Sequence, residues 1–288
     1  LVTGGLGILG AALVKKLSKK NFNIFIIDRS KNIKKIKVLG LNNLKKVKII
    51  KGNFINYEAV FKIVKNKKIG ILVNSFITSH KHPPSSIVLD FDPTDFTLYG
   101  KQENRNYHGY HKDYCYLPLI VTCNDHILAA YLRPSNIDGA KHVWAILSLL
   151  VKHIRKSWPD TKITFRADSG LCRHKILNWC ERNSVEYIVG LSGNSALNKK
   201  SRSLQESVKF EFEKTHIPQK QFTSFRYAAS TWKCSRKVIA KCEHNAIGSN
   251  TRYIVTNIHG KDSNLYTDIY CKRGDMENRG FCRKLLVS

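Results

Sequence analysis

Residues 1–75 alternate short apolar runs with stretches of helical period. The runs Leu1 to Thr3, Asn23 to Ile27, 46–50 and 69–74 read as strands, and helices are predicted over roughly 8–20 and 55–66. That is the βαβ pattern of a parallel sheet. It breaks at Thr78-Ser-His-Lys-His-Pro-Pro-Ser-Ser86, which continues neither helix nor strand. A junction is therefore placed at 78–86, between a segment 1–77 and a larger one, 87–286.

Beyond the junction the pattern predicts a strand at 87–91, a hairpin of 114–123 with 126–132, and a helix from about Gly139 to Trp158. Strand 162–167, helix 171–182, strand 186–191 and a charged helix near 197–215 follow. Three β-like runs (222–228, 236–242, 253–258) make a β-rich stretch at about 217–260. A final helix is predicted from about Asn264 to Leu286. No internal repeat is evident.

Charge narrows the partners. The chain carries a formal +28, which suits a polyanion, most simply nucleic acid. In residues 1–80, sixteen Lys and one Arg face only Asp28 and Glu58, and a lysine-rich background accounts for that segment equally well. All eight cysteines lie at or after residue 115 and none forms a C-x-x-C pair, so zinc is not expected. With no signal peptide and no apolar run near 18 residues, the reading is cytoplasmic, with reduced thiols and no membrane. The chain opens inside a strand-like run and its single methionine is Met276, so it is expected to be a piece of a longer sequence.

Val2-Thr-Gly-Gly-Leu-Gly-Ile-Leu-Gly10 follows a strand and opens a helix, and Asp28 closes the next strand where a ribose-binding acid belongs. Glycines allow the tight turn, and the helix N-terminus offers N–H groups to a pyrophosphate. Residues 1 to about 77 resemble the start of the NAD-dependent epimerase/dehydratases of the extended short-chain dehydrogenase family. The resemblance implies Gly4, Gly7, Gly10 and Asp28 as NAD(P) contacts on a partial Rossmann-type segment. That family's proton relay needs Tyr and Lys four residues apart on a helix, and none of the twelve tyrosines has Lys at i+4.

Three acids stand out in the larger segment. In Leu89-Asp-Phe-Asp-Pro-Thr94, period two puts Asp90 and Asp92 on one face and Ile87, Leu89 and Phe91 on the other. Either aspartate is placed to bind metal. In Arg166-Ala-Asp-Ser-Gly170, Asp168 emerges at the strand's C-terminal end, a common place for functional side chains. On the last helix Tyr270, Arg273, Glu277 and Lys284 fall within an arc of about 60° at roughly 100° per residue.

These stretches, with Gly100-Lys-Gln102, His108-Gly-Tyr110, Tyr114-Cys-Tyr-Leu-Pro-Leu119, Leu132-Arg-Pro-Ser-Asn136 and Tyr270-Cys-Lys-Arg-Gly-Asp-Met-Glu-Asn278, carry a second resemblance. Residues 84–279 resemble the DDE transposases of bacterial insertion sequences, in the group numbered thirteen-eighty. The resemblance implies an α/β fold: a ribonuclease H-like mixed sheet with a β-rich insertion. It implies Asp92, Asp168 and Glu277 as catalytic acids holding two Mg²⁺ or Mn²⁺ ions, with DNA as substrate and a homodimer on DNA as one expected assembly. Tyr270, Arg273 and Lys284 would hold the DNA backbone. Trp232 has two readings, a buried core residue or a platform for a displaced base.

The segment ahead of Asp92 is not that family's DNA-recognition region, and the likeness frays after Arg279. The chain is therefore read as a chimera whose transposase core is truncated and whose activity is in doubt. The alternatives are an NAD(P)-dependent epimerase-like protein and a catalytically dead DNA-binding remnant.

Overall fold

The computed structural model describes residues 2–3, 14–15, 18, 24–28, 33–41, 44, 47–51, 71–100, 105–109 and 112–274. The chain divides into two compact units, Leu1–Ile69 and Gly70–Ser288.

In the first unit, strands β1 (Val2–Thr3), β2 (Ile24–Asp28) and β3 (Val47–Lys51) form a parallel sheet with β2 in the middle. Val14, Ile26, Ile36 and Leu41 make its core. A short helix α1 (Ile33–Val38), which the sequence pattern did not predict, contributes Ile36. The helix expected at 55–66 lies outside the described residues, as do Gly4, Gly7 and Gly10.

The run expected as a strand at 69–74 is instead helix α2, Ile71–Thr78. Val73 and Phe76, three residues apart, share one face and are buried in the core of the second unit. A short apolar run reads equally as a strand or a buried helix, and here packing decides.

The second unit is built on an eight-stranded mixed sheet in the order β12-β13-β14-β11-β10-β4-β8-β9. Its strands are β4 (Ser86–Pro93), β8 (Leu119–Cys123), β9 (His126–Tyr131), β10 (Lys162–Ala167), β11 (Glu186–Leu191), β12 (Gln219–Tyr227), β13 (Arg236–Asn245) and β14 (Gly248–Thr256). Strand β10 runs parallel to both β4 and β11. The β-rich stretch extends this sheet, because β14 pairs antiparallel with β11. A large mixed sheet of this kind is compatible with the ribonuclease H-like fold.

One face buries Ile87, Leu89 and Phe91 of β4 with Ile163, Phe165 and Ala167 of β10. Helix α3 (Val143–Ser157) covers them, turning in Val143, Ile146, Leu147, Leu150, Val151 and Ile154 at helical spacing. Each such aliphatic side chain contributes about 1.5–3 kcal/mol by leaving water. Helix α4 (His174–Arg182) and helix α5 (Ser195–Thr215) pack on the same face. On the other face Ile188, Ile239 and Ile254 meet Leu265 and Tyr266.

The expected single strand 114–123 is two. Strand β7 (Asp113–Tyr116) belongs to a small sheet with β5 (Phe96–Thr97) and β6 (Asn106–His108), and β8 starts afresh after Pro118. Proline has no N–H to continue a ladder. Buried Arg133 braces the break, donating to the carbonyls of Leu117 (2.8 Å), Gly139 and Lys141 (both 2.9 Å).

Over its described residues, the last predicted helix is not regular. Asp262–Asn264 is α-helical, Leu265–Tyr270 forms a π turn and Cys271–Arg273 a 3-10 turn. The placement of Tyr270 and Arg273 at 100° per residue therefore does not hold.

Candidate active site

Strand register brings two of the expected acids together. In the parallel ladder Arg166 lies opposite Asp90 and Ala167 opposite Phe91. One residue further along each chain come Asp92, near the C-terminal end of β4, and Asp168, immediately after β10. Period two puts all four polar residues on the face away from α3. Both acids are half-buried.

Local bonds orient each carboxylate. Thr94 Oγ1 donates to Asp92 Oδ2 at 3.1 Å. The Leu171 N–H donates to Asp168 Oδ1 at 3.2 Å, so Asp168 caps the 3-10 turn Ser169–Leu171.

Asp90, the other metal candidate from sequence, is committed elsewhere. Arg166 donates to it from Nε at 2.5 Å and Nη2 at 2.6 Å, with both residues buried. The third guanidinium nitrogen, Nη1, donates to the carbonyl of Ile269 in the π turn. Arg166 thus ties both acid-bearing strands to helical segment 262–273.

That segment delivers Tyr270 to the same place. Gly190 of β11 makes room for it: a Cβ there would stand 2.6 Å from the Tyr270 hydroxyl and 2.7 Å from the Ser169 nitrogen. Burial pushes the Tyr270 phenol up; Arg273, which also hydrogen-bonds it, works against the rise, and Asp168 adds to it. The phenol is therefore protonated at neutral pH. Glu277 and Lys284 lie outside the described residues.

Trp232 is not brought to this site. It sits half-buried between β12 and β13, edge-on to Tyr227 at 5.7 Å and 4.9 Å beneath the Arg236 guanidinium. Arg236 precedes Lys237, which through Thr256 is level with Ile188, near the start of β11. The two aspartates stand near the other end, where Asp168 is level with Gly190.

Pairing patterns, not single residues, would have revealed Arg166 in the sequence. Asp90-Phe-Asp92 and Arg166-Ala-Asp168 share one spacing, with opposite charges at the inner position. Gly190 carried no such signal.

Residues 55–283 match the family model for the transposase DDE domain, group 1. The chain belongs to this family. Residues 1–91 match the model of the NAD dependent epimerase/dehydratase family, so the two likenesses expected from sequence are both present in one chain and overlap over 55–91. None of the curated proteins matches the chain. DDE transposase domains generally use divalent metals, and the family implies a DNA partner. Asp92 and Asp168 offer the hard oxygen donors that Mg²⁺ or Mn²⁺ take, so the DDE domain's residues fit such ions. Among the described residues no group of three candidate ligands forms a site, and no helix is long and apolar enough to cross a membrane.

Proposed function

We propose that the second unit is a DNA transposase catalytic core that cleaves phosphodiesters and transfers strands at the ends of an insertion sequence. The observation that carries this reading is the β4–β10 register, which sets Asp92 beside Asp168 on one face. Glu277 is the third acid in this reading, four residues beyond Arg273. When bound to the three carboxylates, two divalent ions would activate the attacking oxygen and stabilise the leaving one.

The chain's own groups prepare that chemistry. Thr94 and the Leu171 amide fix one oxygen of each carboxylate, which limits the ordering needed when substrate arrives. Arg166 holds the segment carrying Tyr270 and Arg273 against the strands. Tyr270, Arg273 and Lys284 are proposed to hold the DNA backbone. Trp232 is left out of this role, since Arg236 and Tyr227 account for its position.

Nicking of supercoiled plasmid in Mg²⁺ or Mn²⁺ tests the reading. Asp92→Asn, Asp168→Asn and Glu277→Gln are each expected to abolish it. Cleavage that survives Asp168→Asn would refute the assignment.

The first unit supports a second, separate reading as an NAD(P)-binding segment, because Asp28 ends the central strand of its parallel sheet. NAD(P) binding that is lost in Asp28→Ala would support it, with Gly4, Gly7 and Gly10 as the further contacts.

A further inference from the structure

The small sheet β5-β7-β6 has an open aromatic face. Tyr107 lies directly opposite Tyr114, and Phe96 opposite Tyr116. Period two along β7 places Tyr114 and Tyr116 on the same side, so the four rings share a face, while buried Cys115 points the other way. Tyr107 and Tyr114 meet edge-to-face at 5.7 Å, yet 56% and 44% of their surfaces stay exposed. The Arg105 guanidinium lies 4.5 Å from the centre of the Tyr114 ring, held there by donation to the Gly100 carbonyl at 2.9 Å. Tyr99 beside it is 96% exposed.

This sheet grows from the acid-bearing strand. Pro93 pairs with Leu119, the Thr94 amide donates to the Pro118 carbonyl, and Phe96 then pairs with Tyr116. Three residues separate Asp92 from Phe96, so the near end of the aromatic face lies within roughly 14 Å of Asp92 along the chain. A cross-strand tyrosine pair stabilises a hairpin through its edge-to-face contact. That accounts for the contact between the rings but not for the exposure both keep, Tyr107 the more so because Arg105 lies over the Tyr114 ring.

We propose that this face is a stacking platform for unpaired bases of the DNA strand engaged at Asp92 and Asp168. Exposed rings beside a guanidinium, on a chain of net charge +28, suit bases linked by phosphates. The occupant named here rests on the active-site reading above.

The test is binding of a labelled oligothymidylate to the full chain in EDTA, followed by fluorescence anisotropy. Tyr107→Ala/Tyr114→Ala is expected to weaken binding about 5- to 150-fold. Tyr107→Phe/Tyr114→Phe keeps it, duplex affinity of the alanine pair stays within about twofold of wild type, and the alanine pair still melts cooperatively, lowered only by the lost cross-strand contact. Wild-type affinity in the alanine pair overturns the proposal. Equal loss for duplex and single strand also overturns it, in favour of ordinary backbone contacts. Plasmid nicking in Mg²⁺ is scored separately: its absence in wild type removes the active-site reading, whereas unaltered EDTA binding in the alanine pair removes the platform.

Discussion

Arg166 grips Asp90 with two parallel hydrogen bonds across neighbouring strands, and its remaining arm holds the Ile269 carbonyl. Removing one partner of a buried pair leaves the other charged and desolvated. Asp90→Asn or Arg166→Met alone is therefore expected to cost about 3–5 kcal/mol, read as a lowered melting midpoint. Asp90→Leu/Arg166→Met recovers much of that stability. Cleavage stays impaired in the double variant, because Ile269 has lost the donor that docks Tyr270.

Gly190→Ala drives a methyl group into the Tyr270 hydroxyl and the Ser169 backbone. Overpacking of this kind costs roughly 1–3 kcal/mol. Adding Tyr270→Phe is expected to restore little, since the backbone contact remains. Melting curves of the single and double variants check this.

Glu181 makes stability depend on acid. Burial alone would raise its carboxyl, but donation from Arg236 at 2.7 and 2.9 Å and from Tyr187 at 2.8 Å outweighs burial and holds it below the ordinary range. The folded protein thus binds this proton less readily than the unfolded chain does. Its contribution is complete above the unfolded value of about 4.3 and is lost as pH falls through the lower folded value. Glu181→Gln should therefore melt well below wild type at neutral pH and nearly with it in strong acid.

Thiol reactivity should split along burial. Burial pushes Cys123 and Cys180 up to about 12 and Cys172 up to about 11, while Cys234 and Cys271 are exposed. Iodoacetamide at mildly alkaline pH is expected to label Cys234 and Cys271 in the native protein. Cys123 and Cys180 should react more than roughly 100-fold more slowly until denaturant is added, as mass spectrometry would show.

Much of the second unit was legible because apolar and polar residue types alternate where it matters, as in Ile163, Phe165 and Ala167 against Thr164 and Arg166 of β10, although both faces of these strands are buried. Ile87, Leu89 and Phe91 turn to the core as expected, which leaves Asp90 and Asp92 together on the other side. The division of labour between those two was not legible, since Arg166 is distant in sequence and only the register sets it beside Asp90. Helix α2 was misread because eight residues of mixed apolar character carry no decisive period. The π turn at Leu265–Tyr270 escaped for a different reason: it is a choice of hydrogen-bond partner, and side-chain periodicity does not record it.

Strand β11 shares one edge with β10 and the other with β14. The β12–β14 extension is therefore no appendage swinging on a linker, but the far half of a single beam whose near half bears Asp168. Backbone ladders resist bending apart at any one strand, so a load applied at the Asn245–Gly248 tip would reach the acids as a tilt of the whole sheet.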